Sequence, residues 1–254
     1  MYDNYNPDIL KIELMKSNHI NFDFEKSRER LDEILNTSDT NFEEVKVIPS
    51  RDKLTFTNGF YVNCTALFVD LRGSSKLPTK YKRPTLARIY RSYISELVAI
   101  MNGNSDCKEI SIVGDCVWGI FDSQFKSQIQ DVFSTSGRIS SIIDVLNCKL
   151  KKKGVDPITI GIGIDYGRAL MIKAGYSGSG LNEVVWMGDV VNGASKLCSL
   201  GNKGLFSYET MVSSVVYSNL TEHQQGLVSW NQTNSCYQGN IINKSMDKWK
   251  EENC

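Results

Sequence analysis

Two amphipathic stretches of helical length, each bracketed by strand-like runs, constrain this chain more than any other feature. In the first, after Pro84 and Thr85, apolar residues recur at Leu86, Ile89, Tyr90, Tyr93, Ile94, Leu97, Val98 and Met101. That is the three-and-four spacing of a single helical stripe, and Asn102-Gly103 stops it. In the second, Phe125, Ile129, Val132, Ile139, Ile143, Leu146 and Leu150 share one face; three lysines and Gly154 then match the dipole and glycine signals of a helix end. Ahead of the first stretch stand KLTF, an Asn58-Gly59 turn and the longer buried strand FYVNCTALFVDL. Between the two lies EISIVGDCVWGIF (109–121), which reads as a hairpin with Gly114-Asp115 at its tip. After the second, PITIGIGID puts Ile158, Ile160, Ile162 and Ile164 on one face, and RALMIKA is predicted to pair with it across a turn at Asp165-Tyr166-Gly167.

The order β-α-β-β-α-β-β predicts an α/β (α+β) fold with helices on one sheet face, a ferredoxin-like βαββαβ core with an extra hairpin. The stripe from Leu86 to Met101 then reads as core that covers the sheet. With 254 residues, 41% of them hydrophobic, the chain can bury that core as one domain. Residues 1–48 carry eleven acidic and six basic residues, and one weak helical face around Phe24, Arg28, Leu31 and Leu35. The expected division is an appendage over 1–53, packed on a globular domain over 54–254. Lys plus Arg (29) equals Asp plus Glu (29), so no overall positive field attracts nucleic acid or an anionic membrane, and neither is an expected partner. No apolar run approaches the roughly 18–20 residues of a membrane span, and MYDNYNPD lacks the parts of a signal peptide, so a cytoplasmic location is expected. The seven cysteines are odd in number and never in CxxC pairs, and they read as reduced thiols.

Two carboxylates stand at element ends. Asp70 ends an apolar strand and Asp115 tips the hairpin; in a βαββαβ sheet those elements are neighbours. Each alone is an ordinary turn residue, but together they can hold one divalent cation or two. Hard oxygen ligands suit Mg²⁺ or Mn²⁺, which take one or two protein carboxylates plus substrate phosphates. The small residues of LRGSS would let backbone N–H groups at Gly73 and Ser74 approach an anion. From Arg72 to Arg91 there are seven basic residues and no acidic one, most of them read as solvated, with Arg72 as the phosphate candidate. In VVWMGDVVNGASKL, an apolar run turns at Gly188-Asp189 into a helix on which Asn192 and Lys196, four apart, share a face suited to a ribose and a phosphate. GYSGSG (175–180) lacks both the P-loop lysine and a βαβ setting and reads as a flexible loop. His19 and His223 have no partner motif for nucleophilic catalysis.

Taken together, FVDLRGSS (68–75), SIVGDCVWGIF (111–121), GIGIDYG (161–167) and WMGDVVNGASKL (186–197) resemble, in order, the motifs of class III nucleotidyl cyclases. Among these, TNGFYVNCTALFVDLRGSS and the ending near GNIINKSMDKW are similar to the bacterial Pycsar pyrimidine cyclases. The resemblance implies that Asp70 and Asp115 hold two metal ions, Mn²⁺ or Mg²⁺, with the Leu71 carbonyl as a further ligand. It makes Asn192 the residue that orients the ribose. Lys196 stands where the family has an arginine, so charge is kept but the bidentate fork is not. Lys244 is a candidate for the family's lysine near the last strands.

Purine cyclases of this kind select the base at two positions that here hold Ser111 and Val185. Neither the adenine pair nor the guanine pair is present, which points to a pyrimidine nucleoside triphosphate, with Tyr61 a candidate to narrow the pocket. The implied activity is conversion of UTP to 3′,5′-cyclic UMP and pyrophosphate, a second messenger of anti-phage defence. Cyclic CMP from CTP is the nearest alternative, and a non-catalytic nucleotide-binding dimer that senses is another. The resemblance also implies a head-to-tail homodimer with two composite sites, Ser111 serving one and Asp115 the other.

Overall fold

A computed structural model describes residues 19–177, 180–204 and 207–254. Its strands are β1 (Phe42–Glu44), β2 (Gly59–Leu71), β3 (Cys107–Val113), β4 (Cys116–Asp122), β5 (Ile160–Tyr176), β6 (Leu181–Met187), β7 (Thr210–Val212), β8 (Ser229–Asn231) and β9 (Cys236–Gly239). Its helices are α1 (Phe24–Leu35), α2 (Leu77–Lys80), α3 (Arg83–Asn102), α4 (Lys126–Lys151), α5 (Asp189–Leu200), α6 (Ser214–Asn219), α7 (Glu222–Gln225) and α8 (Lys244–Asn253).

The sheet runs β3-β4-β2-β5-β7-β9-β8, with β1 paired to β2 and β6 to β5. Its first four strands, connected through α3 and α4, are the expected antiparallel βαββαβ core. The central pair is long: β2 matches β5 from Gly59–Ile172 to Leu71–Ile160. Because side chains alternate along a strand, each central strand feeds two cores. Leu67, Val69 and Leu71 join Ile160, Ile162 and Ile164 under α3 and α4, where Ile89, Tyr93, Leu97, Met101, Ile129, Val132, Ile139 and Ile143 close the layer. Each such side chain contributes about 1.5–3 kcal/mol by leaving water. Phe60, Val62, Cys64, Ala66 and Phe68 face the other way, toward Trp186 of β6 and Val190, Ala194 and Cys198 of α5. The Leu86–Met101 stripe is therefore core.

Several local expectations are corrected. No turn interrupts β5 at Asp165-Tyr166-Gly167; the strand continues to Tyr176, and the extra hairpin is β5 with β6. KLTF and Asn58-Gly59 make no hairpin: the segment before β2 is irregular, and the strand beside the start of β2 is β1, in parallel. Phe125 stands at the N-cap of α4 and is 67% exposed, off the apolar face. Helix α1 forms where expected but buries no residue, and its described contact with the sheet side is Arg30 over the Tyr176 ring. Cys148 and Cys254 are joined in a disulfide that ties the last residue to α4, so two of the seven cysteines are not free thiols. In the GYSGSG segment, Tyr176 still belongs to β5, and residues 178–179 lie outside the described part, as do residues 1–18 of the appendage. Among the described residues, no helix is long and apolar enough to cross a membrane.

Candidate active site

The α5 side of the sheet is covered in two places. Helix α5 lies over β5, and the segment before β2 packs Ile48 and Leu54 over the lower half of β2 and β4, where Ile48 N–H donates to Asp122 Oδ1 at 2.8 Å. Arg51 pairs there with the buried Glu109 of β3. At the other end of β2 the sheet is left partly open, and the half-buried Asp70, Cys116, Trp118 and Ser111 occupy this opening. The register explains the grouping. Phe68 pairs with Trp118 and Trp118 with Ser111, so these side chains share one face, and Asp70 lies two residues beyond Phe68 on that same face. The Phe68 and Trp118 rings stack with centroids 5.0 Å apart.

Asp70 and Asp115 come together as the topology predicts, because the β3–β4 hairpin that ends in Asp115 is laid alongside β2. The electrostatics carry the same message. Burial, then the charge of Asp115, pushes the Asp70 carboxyl above its ordinary 3.8, while Arg72 opposes the shift. Tyr90 of α3 is pushed up by burial and by both carboxylates, so it lies near them. Cys116 and Cys198 are raised to about 12, mainly by burial, and stay neutral thiols rather than nucleophiles. A carboxylate raised by the charge of a second one beside it, with the Leu71 carbonyl directly after it in the chain, offers the oxygen donors that a hard divalent cation takes. Among the described residues, no group of three His, Cys, Asp or Glu side chains is arranged to hold a metal ion. A cation at Asp70 and Asp115 would therefore complete its shell from carbonyl, water and phosphate oxygens, which suits Mg²⁺ or Mn²⁺.

Gly73 follows in the left-handed conformation (φ 65°) and heads a 3₁₀ turn over Ser74–Lys76. The N–H groups of Ser74 and Ser75 open that turn and have no acceptor inside it. Arg72 turns back onto its own chain. It donates to Asp70 Oδ2 at 2.9 Å, to the Gly201 carbonyl at 2.8 Å and to the Cys198 carbonyl.

Helix α5 begins at Asp189 after β6 and presents Asn192 and Lys196 on its exposed face. Its buried face reaches β5 almost backbone to backbone. A Cβ at Gly163 would overlap the Ala194 carbonyl and the Cys198 N–H, one at Gly161 would overlap the Arg72 guanidinium, and one at Gly193 would overlap the Asp165 carboxylate. The glycines of GIGI thus set where α5 sits, a role the sequence reading missed although their alternation with the isoleucines carried the signal. Asp165, wedged against Gly193 and accepting from Tyr166 N–H at 2.8 Å, is raised above 3.8 chiefly by burial.

The remaining candidates lie elsewhere within one chain. Val185, 36% exposed, is on β6 opposite Ile172. Tyr61 is at the far end of β2 from Asp70, under the Arg168 guanidinium at 3.7 Å. Lys244 opens α8 and lines a groove with Arg138 and His223 on the α4 side of the sheet, away from the face that carries Asp70.

Comparison with known proteins gives a consistent picture. Residues 57–240 match the family described as Adenylate and Guanylate cyclase catalytic domain. The chain is 45% identical over 258 aligned positions to a Uridylate cyclase of Gulbenkiania mobilis, covering 94% of this chain and 100% of that one. It is 36% identical to a Uridylate cyclase of Treponema porcinum, covering 90% and 80%. Among solved structures, the adenylyl cyclase CyaB of P. aeruginosa superposes with a TM-score of 0.58 at 21% identity, over 68% of this chain and 85% of that one. A class III adenylyl cyclase-like ATP-binding protein of Pseudomonas aeruginosa gives 0.66 at 18% identity, over 88% and 48%.

Proposed function

The chain belongs to the adenylate and guanylate cyclase catalytic domain family and is a nucleotidyl cyclase, and from that premise we propose that it converts UTP to 3′,5′-cyclic UMP and pyrophosphate. The observation that carries the substrate is the near full-length similarity to two proteins named Uridylate cyclase. The residues Ser111 and Val185 support it, since neither offers the charged hydrogen-bonding group that would hold a purine edge.

In the reaction the ribose 3′-oxygen bonds to the α-phosphorus, the bond from that phosphorus to the oxygen bridging to the β-phosphate breaks, pyrophosphate leaves, and the 3′-hydroxyl proton is released. Class III cyclases are divalent-metal enzymes, and two Mn²⁺ or Mg²⁺ ions bound here would sharpen the 3′-hydroxyl and neutralise the phosphates. Asp70, Asp115 and the Leu71 carbonyl would hold them. The backbone at Gly73 and Ser74 would face the phosphate tail. Asn192 orients the ribose and Lys196, which makes no ion pair with a described residue, supplies positive charge to the reacting phosphate from the same face of α5. In this reading two chains form a head-to-tail homodimer, each site taking its metal ligands from one protomer and Ser111, Val185, Asn192 and Lys196 from the other. The product serves as a cytoplasmic second messenger in anti-phage defence.

Incubation of the pure protein with Mn²⁺ and each of the four nucleoside triphosphates separately, with product chromatography, tests the proposal. Cyclic UMP from UTP is expected. Predominant cyclic CMP from CTP would replace UTP, because Ser111 and Val185 do not distinguish O4 from N4 of a pyrimidine; turnover of ATP or GTP alone rejects the pyrimidine reading. No turnover together with metal-dependent nucleotide binding would make the chain a sensor.

A further inference from the structure

Arg72 is committed to its own chain in three directions. Nη1 donates to Asp70 Oδ2 at 2.9 Å, Nε to the Gly201 carbonyl at 2.8 Å, and Nη2 to the Cys198 carbonyl. Cys198 lies in the last turn of α5 and Gly201 is its C-cap, where the helix dipole is negative and a cation is favoured; the Cys198 carbonyl also accepts from Gly201 N–H at 3.1 Å. The side chain is only 16% exposed. To reach α5 it crosses β5 over Gly161, the position where any Cβ would overlap the guanidinium. The backbone of Arg72 is fixed as well, its N–H donating to the Thr159 carbonyl at 2.7 Å.

The geometry points to Arg72 as a positioning residue: it holds the Asp70 carboxylate in place by anchoring it to the C-terminal end of α5, and it does not bind the triphosphate. The inference rests on the cyclase reading, in which Asp70 ligates metal. A planar fork is required, because no single ammonium can reach a carboxylate and two carbonyls in these directions. With Arg72 removed, Asp70 loses the bond that fixes its Oδ2, and metal binding weakens before nucleotide binding does. Loss of an outer partner of a metal ligand typically costs ten- to a hundredfold in metal affinity.

The test titrates Mn²⁺ alone into the wild-type chain, Arg72→Ala and Arg72→Lys by electron paramagnetic resonance, then measures kcat and the UTP KM at saturating Mn²⁺. Circular dichroism and a urea melt establish that each variant is folded, and Arg72→Lys serves if Arg72→Ala is not. Arg72→Ala is expected to weaken Mn²⁺ binding by about tenfold or more, with the UTP KM at saturating metal moving less than about threefold, and Arg72→Lys to recover part of the loss. Unchanged Mn²⁺ binding with a UTP KM raised about tenfold makes Arg72 a phosphate contact and overturns the inference. So does a variant indistinguishable from wild type. A wild-type chain that yields no cyclic nucleotide from any triphosphate instead brings down the cyclase reading itself.

Discussion

Asp70 and Asp115 are expensive neighbours, although Arg72 pairs with Asp70. Burial and the Asp115 charge both raise the Asp70 carboxyl, and one arginine contact only partly offsets them. Sites arranged for chemistry often carry such local instability. Asp115→Asn should therefore lower cyclase activity by at least about a hundredfold while leaving the metal-free chain as stable as wild type or more so. Thermal melts with and without Mn²⁺ check this: the wild type should gain stability on adding metal, and the variant should gain little. A variant that melts lower without metal and still responds fully to Mn²⁺ would contradict it. Asp165 offers a pH test away from Asp70 and Asp115. Burial raises its folded pKa above 3.8, so between the two values the folded chain keeps a proton that the unfolded chain has lost. Stability contributed by this group is present below 3.8 and falls as pH rises through the folded pKa. Asp165→Asn should accordingly gain on wild type in urea midpoint between about pH 4 and about pH 7; an offset that is equal at both ends would show that the carboxyl does not titrate in that window.

At the scale of elements, the position of α5 depends on glycines in the strand beneath it. At Gly163 an added Cβ meets only backbone of α5, at Ala194 and Cys198, and backbone cannot rotate away. Gly163→Ala should cost about 1–3 kcal/mol, a fall of several degrees in melting temperature for a chain of this size. It should also lower kcat, because the displaced helix carries Asn192 and Lys196. Full activity at a reduced melting temperature would separate the packing from the site. The same glycines explain what the sequence left illegible. Asp165-Tyr166-Gly167 has turn chemistry, yet β5 runs through it, because β2 pairs along its whole length and Gly167 sits where Val190 of α5 comes close. Asn58-Gly59 imitates a hairpin, but Asn58 caps the preceding loop through Thr55 N–H and Gly59 makes room for Ile172 and Phe42. Strong periodic segments such as α3 and α4 were legible because their apolar stripes are local. The convergence of Asp70 and Asp115 was legible because topology alone makes their strands neighbours. The direction of Arg72 and the pairing of Cys148 with Cys254, 106 residues on, were not, because both depend on how close distant elements approach.

At the scale of the whole molecule, the segments beside Asp115 and before α5 leave large apolar side chains exposed. Ile112 and Val113 beside Asp115 are 52% and 67% exposed, and Met187 next to α5 is 43% exposed. Large apolar side chains left bare beside charged site residues are what a second protomer would cover. If each site takes its carboxylates from one chain and its α5 from the other, two different defects can complement. A dimer of Asp115→Asn with Lys196→Ala has one site that carries both defects and one that carries neither. Each variant alone should be nearly inactive, whereas an equal mixture, refolded or co-expressed so that protomers exchange, should recover about a quarter of wild-type activity, half the dimers being mixed and each of those having one intact site. Sites built within single chains would give no recovery at any ratio, since every site would then keep one of the two defects. The recovered fraction should also vanish on dilution below the dimer dissociation constant, which ties the catalytic centre to the assembly rather than to the fold of one protomer.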